Sequence, residues 1–175
     1  MWLLLIKVIA SGLIILTTTS FGFDMARRYR DRPRHLRQLQ AALQGLATEI
    51  TYGATPLPAA FANLAATHPS PTKDMLQVAA QQLAMPGNTA TVAWEQGLET
   101  LLQRSALHPR DLAGVRQLGA VLGLSDRRDQ ERHLLLAIQH LEREEIAAEQ
   151  ERQQNERMWR YLGVLSGLLV VIVLV

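Results

Sequence analysis

Two histidines and a run of glutamates are the residues in this sequence whose types and spacing could do chemistry. His133 and His140 stand seven apart on one helix face. A helix-borne metal pair wants ligands four apart, so these two read as boundary or exposed histidines. Glu142, Glu144, Glu145, Glu149 and Glu151 have the side chain for general acid–base work. That work needs a carboxyl displaced from its ordinary pKa by burial or apolar neighbours, and the run EREEIAAEQERQQNER offers neither. It reads as a charged helix face. Asp24, Asp31, Asp126 and Asp129 sit at helix edges or among arginines, where capping and solvation account for them. No G-x-x-x-x-G-K-[ST] loop is present to cradle a nucleotide phosphate. The chain has 0 cysteines, which removes disulfides, thiolate metal sites and a thiol nucleophile. Trp94, at helical spacing, reads as core. Aromatic residues are 5% of the chain, too few for a nucleic-acid stacking platform. The expectation is a protein that is not an enzyme, with no catalytic residues, no cofactor and no metal.

What remains is a charge pattern. Arg27, Arg28, Arg30, Arg32, Arg34 and Arg37 directly follow an apolar run, and Arg157 and Arg160 directly precede another. Residues 2–23, WLLLIKVIASGLIILTTTSFGF, are long enough for a bilayer core of ~30 Å at ~1.5 Å per residue. Lys7 can snorkel to the near interface with Trp2 as anchor. No A-x-A site follows, so the segment reads as an uncleaved anchor rather than a signal peptide. Residues 159–175 form a second, shorter apolar run, in which Gly163 and Gly167 would let a transmembrane helix approach closely. Both arginine groups lie on the inner side of their apolar runs, which places the middle of the chain in the cytoplasm. Anionic headgroups are the expected contact of these eight arginines. The division is therefore 1–23 as anchor, 24–158 as helical bundle with a basic juxtamembrane segment and an acidic stalk, and 159–175 as second transmembrane segment.

The bundle is legible as helices joined by short connections. Leu36, Leu39, Leu43, Leu46 and Ile50 are spaced 3, 4, 3, 4, one face of a helix from Pro33 to Tyr52, with Pro33 either in its first turn or at a kink through which the preceding helix passes. Gly53 stops it. Thr55 is the expected N-cap of a second helix with Pro56 at its first position, and Ser70 the cap of a third. A fourth covers about 89–104. A fifth runs from His108-Pro109 to Gly123, and a last helix, from Ser125 or Asp126, continues without a proline to the end. The acidic stretch is expected beside the arginine stretch, with Arg32 level with Glu149. No segment alternates with period two, so no sheet is expected.

The segment GFDMARRYRDRPRHLRQLQAALQGLATEITYGATPLPAAFANLA resembles the stage III sporulation protein AB family of endospore-forming bacteria, and the ending RYLGVLSGLLVVIVLV is similar to that family's C-terminus. The corner ITYGATPLPAAF is similar to the Gly-x-Pro-Leu corner of the cytoplasmic domain of the type II secretion F protein. The resemblance implies an all-α, antiparallel bundle of that F-like type between the two anchors. It further implies a platform component of the mother cell–forespore channel complex in the outer forespore membrane. The bundle would face the mother-cell cytoplasm, with a motor ATPase and other channel proteins as partners. No nucleic acid and no small-molecule substrate are implied. Thr55, Pro56, Arg127 and Arg128, at the corner and the turn before the last helix, are the candidate partner contacts. Two other classes compete: a membrane-anchored enzyme or regulator, which would show a convergent buried polar cluster, and a lipid-binding helical protein.

Overall fold

Pro33 does not start a helix; it lies inside one. In the computed structural model, which describes residues 2–53, 55–123 and 126–174, helix α1 spans Trp2–Thr48 with Pro33 in its interior. The side chains of residues 3–11, 14–15, 127, 160, 163, 167–168, 170–171 and 173–174 lie outside that description. An interior proline removes one ladder hydrogen bond and costs ~3 kcal/mol. The face that follows offsets it: Leu36, Leu39, Leu43 and Leu46 are all fully buried, and burying one leucine is worth ~1.5–3 kcal/mol.

The helix ends in a π turn, Glu49–Gly53. Here Thr55 departs from its expected role. Its hydroxyl donates to Glu49 Oε2 at 2.6 Å, and α2 (Leu57–Thr67) starts from Pro56 without a side-chain cap. A bond to an ionised carboxylate is roughly twice as strong as a neutral one, so Glu49 takes the hydroxyl. Ser70 behaves likewise, donating to Asp74, and α3 (Thr72–Leu83) follows Pro71. Two other helices do carry side-chain caps. Thr89 accepts from Val92 N at the start of α4 (Ala90–Arg104), and Asp126 accepts from Asp129 N at the start of α7 (Arg127–Leu174). Between α3 and α4 the chain turns at Gly87, whose φ of 86° suits only glycine without strain.

The fifth helix is not continuous. It is a 3₁₀ turn, Pro109–Leu112, then α5 (Ala113–Arg116) and α6 (Leu118–Val121). Trp94 of α4 takes a carbonyl beside the break, and Thr91 takes one within α6. Trp94 Nε1 donates to the Val115 carbonyl at 2.9 Å and Thr91 Oγ1 to the Gly119 carbonyl at 2.8 Å. Both carbonyls would otherwise serve the helical ladder.

Contacts divide the chain into two compact units, residues 32–147 and residues 1–31 with 148–175. In the first, α2 packs on α3, α3 on α4 and α4 on α6. Phe61 and Trp94 stack at 5.7 Å between ring centroids. Leu98, Leu101, Leu112, Leu118, Leu134 and Leu141 complete this core. The fold is all-α, with no strand among the described residues. In the other unit Ala26 and Ala148 are buried, and a groove is lined by Thr17, Phe21, Trp159 and Leu162 among others. Among the described residues no helix is long and apolar enough to cross a membrane. About half of the side chains in each apolar run read as an anchor lie outside the description.

Two substitutions probe the 32–147 core. Leu43→Ala should cost ~2–5 kcal/mol in chemical denaturation, as expected for a fully buried leucine. A Cβ at Gly97 would lie 2.9 Å from the Met75 carbonyl oxygen, so Gly97→Ala should destabilise by ~1–3 kcal/mol despite its better helix propensity. A neutral or stabilising Gly97→Ala would show that α3 and α4 do not meet this closely.

Candidate functional site

The most closely organised polar site is built around Asp111, which the 3₁₀ turn holds in place. Asp111 Oδ2 accepts from His108 N at 2.8 Å, and the Asp111 amide donates to the His108 carbonyl at 3.0 Å. Pro109, lacking an N–H, fits the first position of this turn. The carboxylate is 0% exposed and faces Arg32 of α1. Arg32 Nε donates to Oδ2 at 3.0 Å and Nη2 to Oδ1 at 2.6 Å, the parallel fork in which a guanidinium matches a carboxylate best. Nη2 also reaches Glu144 Oε2 of α7 at 3.4 Å. One arginine thus joins α1, the 3₁₀ turn and α7.

A partly solvated seam continues from it. Arg37 Nε lies 3.4 Å from Glu145 Oε1, and Gln40 Nε2 donates to Glu145 Oε2 at 3.2 Å. His35 Nδ1 accepts from the Ala106 amide at 3.1 Å, so its ring proton lies on the other nitrogen. Burial pushes the Asp111 carboxyl up. The hydrogen bonds from Arg32 and the His108 amide, with the charges of both residues, outweigh it and hold the group below its ordinary value.

These positions revise three expectations. Arg32 is not a headgroup contact: its side chain is 4% exposed and closed onto carboxylates. It is level with Glu144 rather than Glu149, a shift of about 7.5 Å along a helix rising ~1.5 Å per residue, while Glu149 pairs with Arg152 at 2.6 Å. Glu144 and Glu145 are half-buried and bonded to α1, so this part of the acidic stretch is a seam, not a solvated stalk. Arg27, Arg28, Arg30, Arg34, Arg37 and Arg157 are exposed, with Arg28 near Asp24 and Arg30 on Asp31. Thr55 is half-buried on Glu49, and Pro56 and Arg128 are exposed. The surroundings of Arg127, Arg160, Gly163 and Gly167 lie outside the described residues, as do Ala54, Leu124 and Ser125 of the corner and the turn.

The histidines diverge despite sharing a helix. His133 sits 3.8 Å from Asp129, whereas the His140 ring packs beside Gly114 with Nε2 buried and unpartnered among the described residues. Among those residues no group of three or more His, Cys, Asp or Glu is placed to hold a metal.

Asp111 is the residue that sequence reasoning missed. A faint signal exists: His108-Pro109-Arg110-Asp111 places an acid at the third position of a proline-started turn, the spacing of a capping box. Nothing in the sequence ties it to Arg32, 79 residues away. Chemically the arrangement is a fastening. The carboxylate, the guanidinium and the turn amide satisfy one another, which leaves no activated group facing a substrate.

Removing one partner strands the other's charge. Asp111→Ala should destabilise the bundle by ~3–5 kcal/mol. The folded-state pKa of Asp111 lies below its unfolded value, so its contribution is fully present above 3.8 and is lost as pH falls through the folded pKa. Denaturation midpoints measured against pH should show a loss below pH 3.8 that Asp111→Asn lacks. Equal acid sensitivity in both proteins would place the titrating group elsewhere.

Comparison with known proteins bears on the whole chain. The family model described as stage III sporulation protein AB matches residues 7–175. The stage III sporulation protein AB of Bacillus subtilis (strain 168) is 39% identical over 170 residues, 97% of this chain and 99% of that protein. A solved structure of a stage III sporulation protein AB matches with a TM-score of 0.66 at 38% identity, covering 71% of this chain and 98% of the other. With a match along nearly its full length, this chain belongs to the stage III sporulation protein AB family.

Proposed function

We propose that the chain is a non-enzymatic membrane platform of the mother cell–forespore channel, its helical bundle facing the mother-cell cytoplasm and docking a motor ATPase. The observation that carries this reading is the use of α1 and α7. The helices that Arg32 fastens together inside the bundle are the same helices that run on through the apolar ends of the chain. Helices shared between a bundle and apolar segments suit a platform that stands between a motor and a membrane channel. The arginines flanking both apolar runs on their inner sides favour a two-pass topology with residues 24–158 in the cytoplasm. The membrane is the outer forespore membrane in this reading, which rests on family membership. The F-like bundle type of the type II secretion platform has the same support, together with the all-α fold.

The ATPase contact assigned to this reading comprises the Thr55–Pro56 corner and the Arg127–Arg128 helix start. Cations beside a helix N-terminus oppose the helix dipole, so helix stability gives no reason for this arginine pair.

Topology and docking are tested separately. The chain has 0 cysteines, so Gln103→Cys on exposed α4 gives a unique label. It should resist an impermeant thiol reagent in intact mother cells and react after permeabilisation. Labelling in intact cells would reverse the orientation. For docking, Arg127→Glu with Arg128→Glu should weaken ATPase binding about 10-fold or more while leaving helicity intact, since interface charges of this kind are worth ~1–3 kcal/mol. Unchanged affinity in the folded variant would remove this face.

A further inference from the structure

Helix α7 has a core face and, opposite it, a second ordered face that the bundle does not use. Leu134, Ala137, Ile138 and Leu141 are buried. At ~100° per residue, Arg128, Arg132, Leu135, Leu136, Gln139, Arg143 and Ile146 fall on the opposite side within an arc of about 100°. All seven are exposed. Leu135 and Leu136 are each 51% exposed and Ile146 61%, large apolar side chains presented to solvent from one stripe.

The charges on that stripe are uncompensated. Among the described residues Arg128, Arg132 and Arg143 make no ion pair. Arg128 also sits in the first turn of α7, where the helix dipole disfavours cations. Core packing does not require these residues, nor does helix stability.

We propose that the outward stripe of α7, residues 128–146, is a docking surface for an acidic amphipathic helix of another protein, sharing only Arg128 with the ATPase contact proposed above. The stripe is ~27 Å long at ~1.5 Å per residue, the footprint of a five-turn helix. Leu135 and Leu136 supply one apolar contact and Ile146 a second, three turns on. Arg128 and Arg132 flank the first and Arg143 precedes the second. A partner with apolar residues at matching intervals and Glu or Asp beside them meets every group on the stripe.

Two other occupants fit less well. A second copy, antiparallel about Gln139, sets Arg132 opposite Ile146 and Leu136 opposite Glu142, and a parallel copy sets like charges level. A lipid surface wants a broad apolar face with aromatic side chains at the interface. Residues 128–146 contain no Trp, Tyr or Phe, and Gln139 and the arginines interrupt the apolar contacts.

The test is site-specific photo-crosslinking in the full chain, in cells that make it, with a benzophenone amino acid replacing Gln139. The expected product is a cross-link to another protein whose cross-linked peptide forms a helix with three or more acids spaced three or four apart. Arg132→Glu and Arg143→Glu together should reduce that product at least 10-fold, with lysine at the same positions retaining it. Reversing the partner's acids to lysine should restore it in the glutamate variant. Leu135→Ser with Leu136→Ser is the second variant, expected to lose the product with helicity unchanged. A cross-link to lipid alone or to a second copy, no cross-link, or a product indifferent to both variants overturns the proposal.

Discussion

The buried fork between Arg32 and Asp111 is the interaction on which the rest of this structure depends. Taking an arginine and an aspartate out of water is expensive, and the pair compensates only when its geometry is good and its remaining bonds are made. Both conditions hold: two parallel N–H···O bonds close the fork, and the His108 amide satisfies the carboxylate further. The pair therefore cannot slip. Sliding α1 by one turn would move the guanidinium ~5.4 Å and leave two buried charges apart. The position next to Pro33 adds to this. The proline removes a ladder bond from α1 at that turn, and the fork fixes the helix where its own hydrogen bonding is weakest.

A site this complete argues against catalysis by its own chemistry. Catalytic groups need a free lone pair or a displaced proton facing a cavity. Here the carboxyl is held ionised, the guanidinium donates on two fronts, and Glu144, Glu145, Gln40 and Arg37 bond along the same seam. The work these residues do is mechanical: they hold the first and last helices of the bundle at one register. For a protein whose proposed role is to stand between a motor and a membrane channel, such rigidity is the relevant property. Its surfaces, not its interior, then carry partner choice.

The sequence made some of this legible and hid the rest for definable reasons. The 3, 4, 3, 4 spacing from Leu36 to Ile50 displayed the α1 core face because helical periodicity is local information. The starts of α4 near Thr89 and of α7 at Asp126 were visible for the same reason. Thr55 and Ser70 were not, because each hydroxyl chose a nearby carboxylate, Glu49 and Asp74, over a backbone amide. The break between α5 and α6 lies beside the Val115 carbonyl that Trp94 takes from α4, a tertiary demand that propensity cannot express. The arginine cluster is the clearest case. Six similar residues looked like one belt, yet Arg32 alone falls opposite a buried acid 79 residues away. Only the folded register separates it from its neighbours.

That register also gives α7 an electrical polarity across its width. Its bundle side offers Glu144 and Glu145, both engaged by Arg32, Arg37 and Gln40. Its outer side offers Arg128, Arg132 and Arg143. Had the helix rotated by half a turn, the acids would meet solvent and the arginines would meet Arg32 and Arg37, so like charges would oppose the α1 contact. The same arginines that favour an acidic partner outside thus disfavour the wrong helix face inside. Opposite charges level across a packed seam attract, and like charges repel at a cost that grows as water is excluded. The outer cations of α7 therefore help to specify the bundle through the alternative they penalise, while remaining available to a partner in the face that is formed.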